Sequence, residues 1–513
     1  MNIIKFLVGV VFIFCFTGCE TENEKENKVQ ENKAKEFTIF AIHLGKAFDG
    51  ELPVFKKAYE MTNVKLKGTA SKSQNDEILA FNLMLSSGEL PDIIAYELPE
   101  ELEKLGADGK VIPLEDLIEK YAPNIKKFWE ENPKYKKDAI SADGHIYMIP
   151  NYNDYDSIST SQGYYIRKDW LRKLGLKEPE TTDELYTALK AFREKDPNGN
   201  GKKDEIPIFL RGNTTKKIIL SLTDIFEAEY NWYVKGKTPV FGPAQPEYRD
   251  AIRELAKWYK EELIDSEVFT RDISSRDYVL NNNLGGFTCD WFSSTGNYNS
   301  KLKEIIPDFD FSVILPVEYK GKRSTAFSRE NYLGGWSITK TAKDPITIIK
   351  YFDFWYSEEG RRLWNFGVEG EDYIMVDGKP KFTEKVLKNP NGKIPLMVLR
   401  ETGAQYRLGM FQDGENERQW ADSEAVKAMD YYIKSGVVKP PMPILKYTKG
   451  EVVEFSKIDS QLYAIAEEMT QRCILGVSDV DKEWNSYIRR LKSAGLKEAE
   501  KIQKQAYDRF IER

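Results

Sequence analysis

Residues 37–42, Phe37-Thr38-Ile39-Phe40-Ala41-Ile42, form a short, almost continuous apolar run such as a strand covered on both faces requires. A polar loop follows, then a helical pattern over 52–61 and a second strand at Val64-Lys65-Leu66. The next unit repeats the order. Residues 75–87 have helical periodicity and stop at Ser87-Gly88, and Pro91-Asp92-Ile93-Ile94-Ala95-Tyr96 begins a third strand. Strand alternating with helix indicates a parallel sheet with crossover helices, hence an α/β protein.

Upstream, residues 20–36 are almost entirely Glu, Asn and Lys, with Val29 as the one large apolar residue. Such a stretch cannot bury enough surface to fold and is expected to be a disordered tether with a reach of about 20 Å. Before it, Lys5 precedes an apolar run from Phe6 to Phe16, closed by Thr17-Gly18-Cys19. The run is too short to span a bilayer comfortably. It resembles a bacterial lipoprotein signal, with Phe16 where Leu is usual. That resemblance makes 1–18 a signal peptide, Cys19 the lipidated first residue of the mature chain, 19–36 the tether, and the location extracytoplasmic, on the bacterial membrane.

Downstream, 513 residues exceed a single core, so at least two domains are expected. Helices are expected at 114–129 with a break at Pro123, at 169–174, and at 182–194 with Thr181 or Thr182 as N-cap. Short strands are expected at 206–210, 284–289 and 309–315, and helices at 248–262 and from 345 through 362. The segments 423–432, 456–470 and 480–511 make the C-terminal region helix-rich.

Between helix 182–194 and strand 206–210 stands Asp196-Pro197-Asn198-Gly199-Asn200-Gly201-Lys202-Lys203-Asp204-Glu205. Oxygen side chains at Asp196, Asn198, Asn200 and Asp204, with Gly201 at the sharp turn, match the loop of an EF-hand and imply a hard cation, calcium. Lys202 would give its backbone carbonyl, and Asp204 with Glu205 the closing carboxylates. The bidentate Glu of an ordinary EF-hand is replaced by Pro207. Every ligand position is filled by protein, so a structural calcium ion is expected. The competing account is a Gly/Asn-rich turn with solvated charge.

Several segments resemble, in order, the signatures of extracellular solute-binding proteins of ABC importers, in their oligosaccharide-binding branch. They are LMLSSGELPDIIAY (83–96), IPLEDLIEKYAPN (112–124), DGHIYMIP (143–150), IRKDWLRKLGLKEPETTDEL (166–185), GGWSIT (334–339) and NFGVEGEDY (365–373). The calcium-like loop is similar to that of members binding alginate oligosaccharides or unsaturated glycosaminoglycan disaccharides. The resemblance implies a two-lobed periplasmic-binding-protein fold, type II-like, with a hinge. It also implies permease subunits of an ABC importer as partners, a monomer, and capture of oligosaccharide without cleavage. The lobes are expected at 37–160 and 161–340, with a helix-rich region, 341–513, returning to the first lobe and hinge.

In such a fold, ligand gathers after the carboxyl ends of strands, in the cleft between lobes. That selects Arg211 after 206–210, Trp291 after 285–289, and Tyr152 with Asn153 after 146–150. Trp336 is added by the resemblance. Residues 411–418 read as a polar loop that could close one side of the cleft, and Glu417 in it is a candidate acceptor for a sugar hydroxyl. An indole covers the apolar face of a pyranose, and a guanidinium pairs with a uronate carboxylate, so an acidic oligosaccharide is the expected ligand. The competing accounts are a salt bridge for Arg211 and core packing for the tryptophans.

The net charge of −7 argues against nucleic acid as a partner. Two histidines, His43 and His145, leave little for a zinc site or a Ser-His-Asp triad. An extracellular glycoside hydrolase or lyase is the rival function, and a receptor for neutral oligosaccharide or peptide is the other. With Cys15 removed and Cys19 in the anchor, Cys289 and Cys473 could pair or stay as buried thiols.

Overall fold

The computed structural model describes residues 34–43, 45–73, 76–154, 159–212, 214–328, 332–389, 391, 393–406 and 410–512. The expected signal peptide, Cys15, Cys19 and most of the tether lie outside the described residues.

The opening run forms strand Lys35–Phe40, parallel to Val64–Gly68 on one side, with Phe37 opposite Leu66, and to Ile93–Tyr96 on the other. Helices Pro53–Thr62 and Glu77–Ser87 make the crossovers. Asn63 and Gly88 end them in the left-handed conformation, φ +56° and +74°. The sheet continues through Tyr332–Ile338, antiparallel to Ile93–Tyr96, then Ile149–Asn153 and the short Phe411–Gln412. This six-stranded sheet and its helices are the first lobe.

A second sheet, four strands in the order Phe311–Ile314, Gln162–Arg167, Gly285–Trp291, Ile206–Ile208, carries the second lobe. Helix Thr182–Glu194 packs on it, opened by a full capping box in which the Thr181 side chain and Glu184 cap each other's backbone.

The lobe boundaries differ from the expected ones. Tyr332–Ile338 is a central strand of the first sheet, so the second lobe ends before it and not at 340. The region 341–513 also divides. Helices Pro345–Phe354 and Glu358–Phe366 bury Ile348, Phe352, Leu363 and Trp364 in the first core. Helices Lys449–Ile474, Val480–Ser493 and Leu496–Glu512 instead bury Leu462, Met469, Tyr487 and Ala499 in the second. Apolar periodicity marks a buried face but carries no address for the core that receives it.

Two of the segments that join the lobes are tied to each other, and the second of them is tied to the stretch after helix Ser423–Ser435, which packs on the second lobe. Thr160 Oγ1 donates to Phe327 O, 2.5 Å, and Thr325 exchanges backbone hydrogen bonds with Val437 and Lys439, 2.8 and 2.9 Å. Asp224, fully buried, fixes the second segment by accepting from Thr325 Oγ1 and Ala326 N, both 2.8 Å. Cys289 and Cys473 are free and buried.

Candidate functional site

Between the lobes lies a cleft of about 460 Å³. Its floor is the hinge itself, Ser161 and Gln162 on one crossing segment and Phe327 and Ser328 on the next. The first lobe contributes Asn151, Asn153, Trp364, Arg400, Gln405, Gln412, Glu417 and Trp420; the second contributes Trp291 and Ser293. Through Gln162, Phe327 and Ser328 the cleft meets a larger chamber, about 900 Å³, lined by Lys216, Lys217, Trp232, Tyr233, Lys439 and the run Pro440 to Pro443.

Of the six residues expected to touch ligand, three line this cleft: Asn153, Trp291 and Glu417. Two do not, and they are corrections. Tyr152 is fully buried, its hydroxyl donating to Tyr135 O at 2.7 Å and its ring packed on Tyr135 and Phe128. The strand runs 149–153, so Tyr152 lies inside it and not beyond its end; alternation sends it to the core face and Asn151 and Asn153 to the cleft face. Trp336 is also fully buried, in the middle of a central strand, with its ring 4.1 Å from Phe352. Covered on both faces, that strand has no cleft side at this position.

Arg211 sits behind the cleft wall. Its Nη2 lies 3.3 Å from Asp290 Oδ1, while Arg276 Nη1 lies 3.0 Å from Asp290 Oδ2. The same carboxylate accepts the Trp291 N–H at 2.8 Å, so this cluster fixes the backbone that carries the indole. Lys217 adds a third cation, its ammonium 5.1 Å from the Trp291 ring centroid. Two guanidiniums thus share Asp290, Arg276 lying also 3.7 Å from Asp277, and Lys217 stands near them with no carboxylate in contact among the described residues. In the larger chamber Lys439 is spent on Glu227 and Glu229, 3.1 and 2.7 Å away.

Sequence reasoning passed over Trp420, Gln162 and Lys217. Residues 411–418 were expected to form a polar loop; they form a two-residue strand and, from Gly414 to Trp420, a helix capped by Asp413, whose side chain accepts Glu415 N. An N-cap Asp ahead of Glu415 and Glu417 is the signal that places Trp420 at a helix end. Lys217, in a Thr-Thr-Lys-Lys helix start, looks like solvated charge until the fold brings it to Trp291.

The calcium-like loop lies at the other end of the second sheet. Glu205 enters strand Ile206–Ile208 and Arg211 follows it, which separates the two by about 20 Å of extended chain. The Asp196 carboxylate gathers the loop, accepting from the N–H groups of Gly199, Asn200 and Gly201 at 2.9, 3.1 and 2.9 Å. Asn198 and Asn200 approach Asp204, each at 3.1 Å. Gly201 has φ +76°, as the turn requires. Glu205 is 2 % exposed and its Oε2 has no partner. Burial raises its pKa, and Asp196 and Asp204 push the same way. Converging carboxylates with an orphaned buried oxygen are what a cation would relieve, so the residues fit calcium. Among the described residues no three His, Cys, Asp or Glu side chains are placed to hold a metal; amide and backbone oxygens have to complete the set.

The model of the family "bacterial extracellular solute-binding protein" matches residues 42–362. The chain belongs to that family. It is an extracytoplasmic binding component of the kind that serves ABC importers, not an enzyme. Among solved structures, the alginate-binding protein AlgQ2 without calcium ion is 37% identical with a TM-score of 0.77, over 93% of this chain and 98% of that one. The fructooligosaccharide ABC transporter substrate-binding protein FusA of Streptococcus pneumoniae serotype 4 (strain ATCC BAA-334 / TIGR4) is 27% identical over 505 residues, 94% of this chain and 91% of the relative. Lipoprotein LipO of Bacillus subtilis (strain 168) is 29% identical over 340 residues, 62% of this chain and 63% of its own. These likenesses bear out the two-lobed α/β fold with a helical C-terminal region.

Proposed function

We propose that this solute-binding protein captures acidic, uronate-containing oligosaccharides and delivers them to the permease of an ABC importer. The observation that carries the reading is the cation surplus at Trp291, where Lys217, with no carboxylate in contact among the described residues, stands beside Arg211 and Arg276, which are held by Asp290 and Asp277. The likeness to an alginate-binding protein supports it. Trp291 from one lobe and Trp420 from the other offer flat faces to pyranose rings, and Asn153, Gln162 and Glu417 offer partners to hydroxyls. Two joined chambers suit a chain of sugars. Because the floor is the hinge, ligand touching both lobes stabilises the closed state. In this reading the protein is a monomer, held to the membrane by lipid on Cys19; a lipoprotein among the relatives supports the anchor.

A thermal-shift screen of the calcium-replete mature domain tests the ligand, with uronate oligosaccharides, unsaturated glycosaminoglycan disaccharides and neutral fructo-oligosaccharides side by side. Ligand at a hundred times its Kd stabilises by about 2.7 kcal/mol. A rise confined to the uronates is expected; a rise only with fructo-oligosaccharides would move the assignment to the neutral class that FusA's name describes.

The loop Asp196, Asn198, Asn200, Lys202, Asp204 and Glu205 holds a structural calcium ion in the same reading. The similarity to a protein crystallised "without calcium ion" and to FusA, of which an "EF-hand mutant" exists, supports it. Chelation is expected to lower the melting temperature by the equivalent of about 3 kcal/mol when calcium had been at a hundred times its Kd. Sugar affinity should survive, since the loop is far from the cleft. An unchanged melting temperature after exhaustive chelation would reject the site.

A further inference from the structure

Arg211, the sequence's candidate for charge recognition, is directed elsewhere. Arg211 and Arg276 share Asp290, at 3.3 and 3.0 Å, and Arg276 also donates to Ser294 Oγ and Thr295 Oγ1, 2.7 and 3.1 Å. Both guanidiniums are aimed at fixed carboxylates of the protein, Asp290 for both and, for Arg276, also Asp277 at 3.7 Å. Lys217 is placed differently. It stands in the first turn of helix Thr215–Asp224, half-buried, on the wall of the larger chamber. Its ammonium is 5.1 Å from the centre of the Trp291 indole, which lines the smaller cleft, so it sits where the two chambers meet. Among the described residues it has no carboxylate partner; its contact is the ring. Burial lowers its pKa, Asp290 opposing and Arg211 reinforcing the fall. A half-buried cation with no carboxylate in contact is a standing cost that a bound anion removes.

We infer that Lys217 is the specificity-determining residue of the cleft: its ammonium receives the carboxylate of a uronate bound against Trp291, while Arg211 and Arg276 position that indole through Asp290. The inference rests on the acidic-oligosaccharide reading above. A neutral sugar in the same place would desolvate Lys217 further without pairing it, so one side chain selects for acid and against its neutral counterpart.

The test is calorimetry with an unsaturated chondroitin disaccharide and its carboxyl-reduced, neutral analogue, on the wild type, Lys217→Met and Lys217→Arg. The wild type is expected to prefer the acid at least tenfold. Lys217→Met should lose most of that preference, weakening the acid while the neutral analogue binds as well as or better than before, and Lys217→Arg should keep most of it. Affinity of Lys217→Met for the neutral analogue at or above the wild-type level shows that the variant is folded. If Lys217→Met keeps the wild-type preference, the inference is overturned and the acidic reading stands. If the wild type itself makes no distinction, the acidic reading fails first and the inference falls with it.

Discussion

Trp291→Ala should cost this protein about 30- to 1,000-fold in ligand affinity, the 2–4 kcal/mol typical of a central aromatic anchor. The indole sits at the end of strand Gly285–Trp291, where the second sheet opens onto the cleft, and it lines the smaller chamber beside Lys217 on the wall of the larger. Its backbone N–H is held by Asp290 whatever the side chain, and the ring is only partly buried, so the melting temperature of the free protein should barely move. Trp291→Phe should recover part of the loss, because a smaller aromatic face remains. Affinity within threefold of wild type for Trp291→Ala would remove this ring from the site.

Trp336→Ala should do the reverse. Its ring is fully enclosed between Phe352 and Tyr351, 4.1 and 6.2 Å between centroids, and no residue can collapse into the space from a central strand. A loss of 3–5 kcal/mol of stability is expected. The protein that remains folded should bind ligand as the wild type does. The Trp336 Nε1 makes no hydrogen bond, so Trp336→Phe removes volume alone and should cost clearly less. Denaturant unfolding with and without ligand separates the two tryptophans; a stable Trp336→Ala that no longer binds would return that residue to the cleft.

The contrast between these indoles shows what a sequence of this kind discloses. The strands at 37–42, 64–66 and 91–96 could be read because a buried parallel strand needs an apolar run and its crossover needs helical periodicity, both of which are local. The loop at 196–205 could be read for the same reason, since six donors within ten residues need no other part of the chain. Cleft residues are not local. Tyr152 and Asn153 are neighbours with opposite fates, set by where the strand begins, and a shift of one residue exchanges core for cleft. Trp336 belongs to a segment whose order along the chain is informative and whose burial depends on helix Pro345–Phe354 covering it. Lys217 and Trp420 gained meaning only when distant pieces met at the hinge.

The lobes are also unequal in when they can exist. The second lobe's core takes Leu462, Met469, Tyr487 and Ala499 from the last helices, and the first lobe's sheet takes Tyr332–Ile338 into its middle. A chain emerging from the ribosome cannot complete the first core until Met410 is made, nor the second until its last helices arrive. Completion of the cores is therefore late in synthesis, later for the second lobe than for the first, and this delay is set by chain order alone.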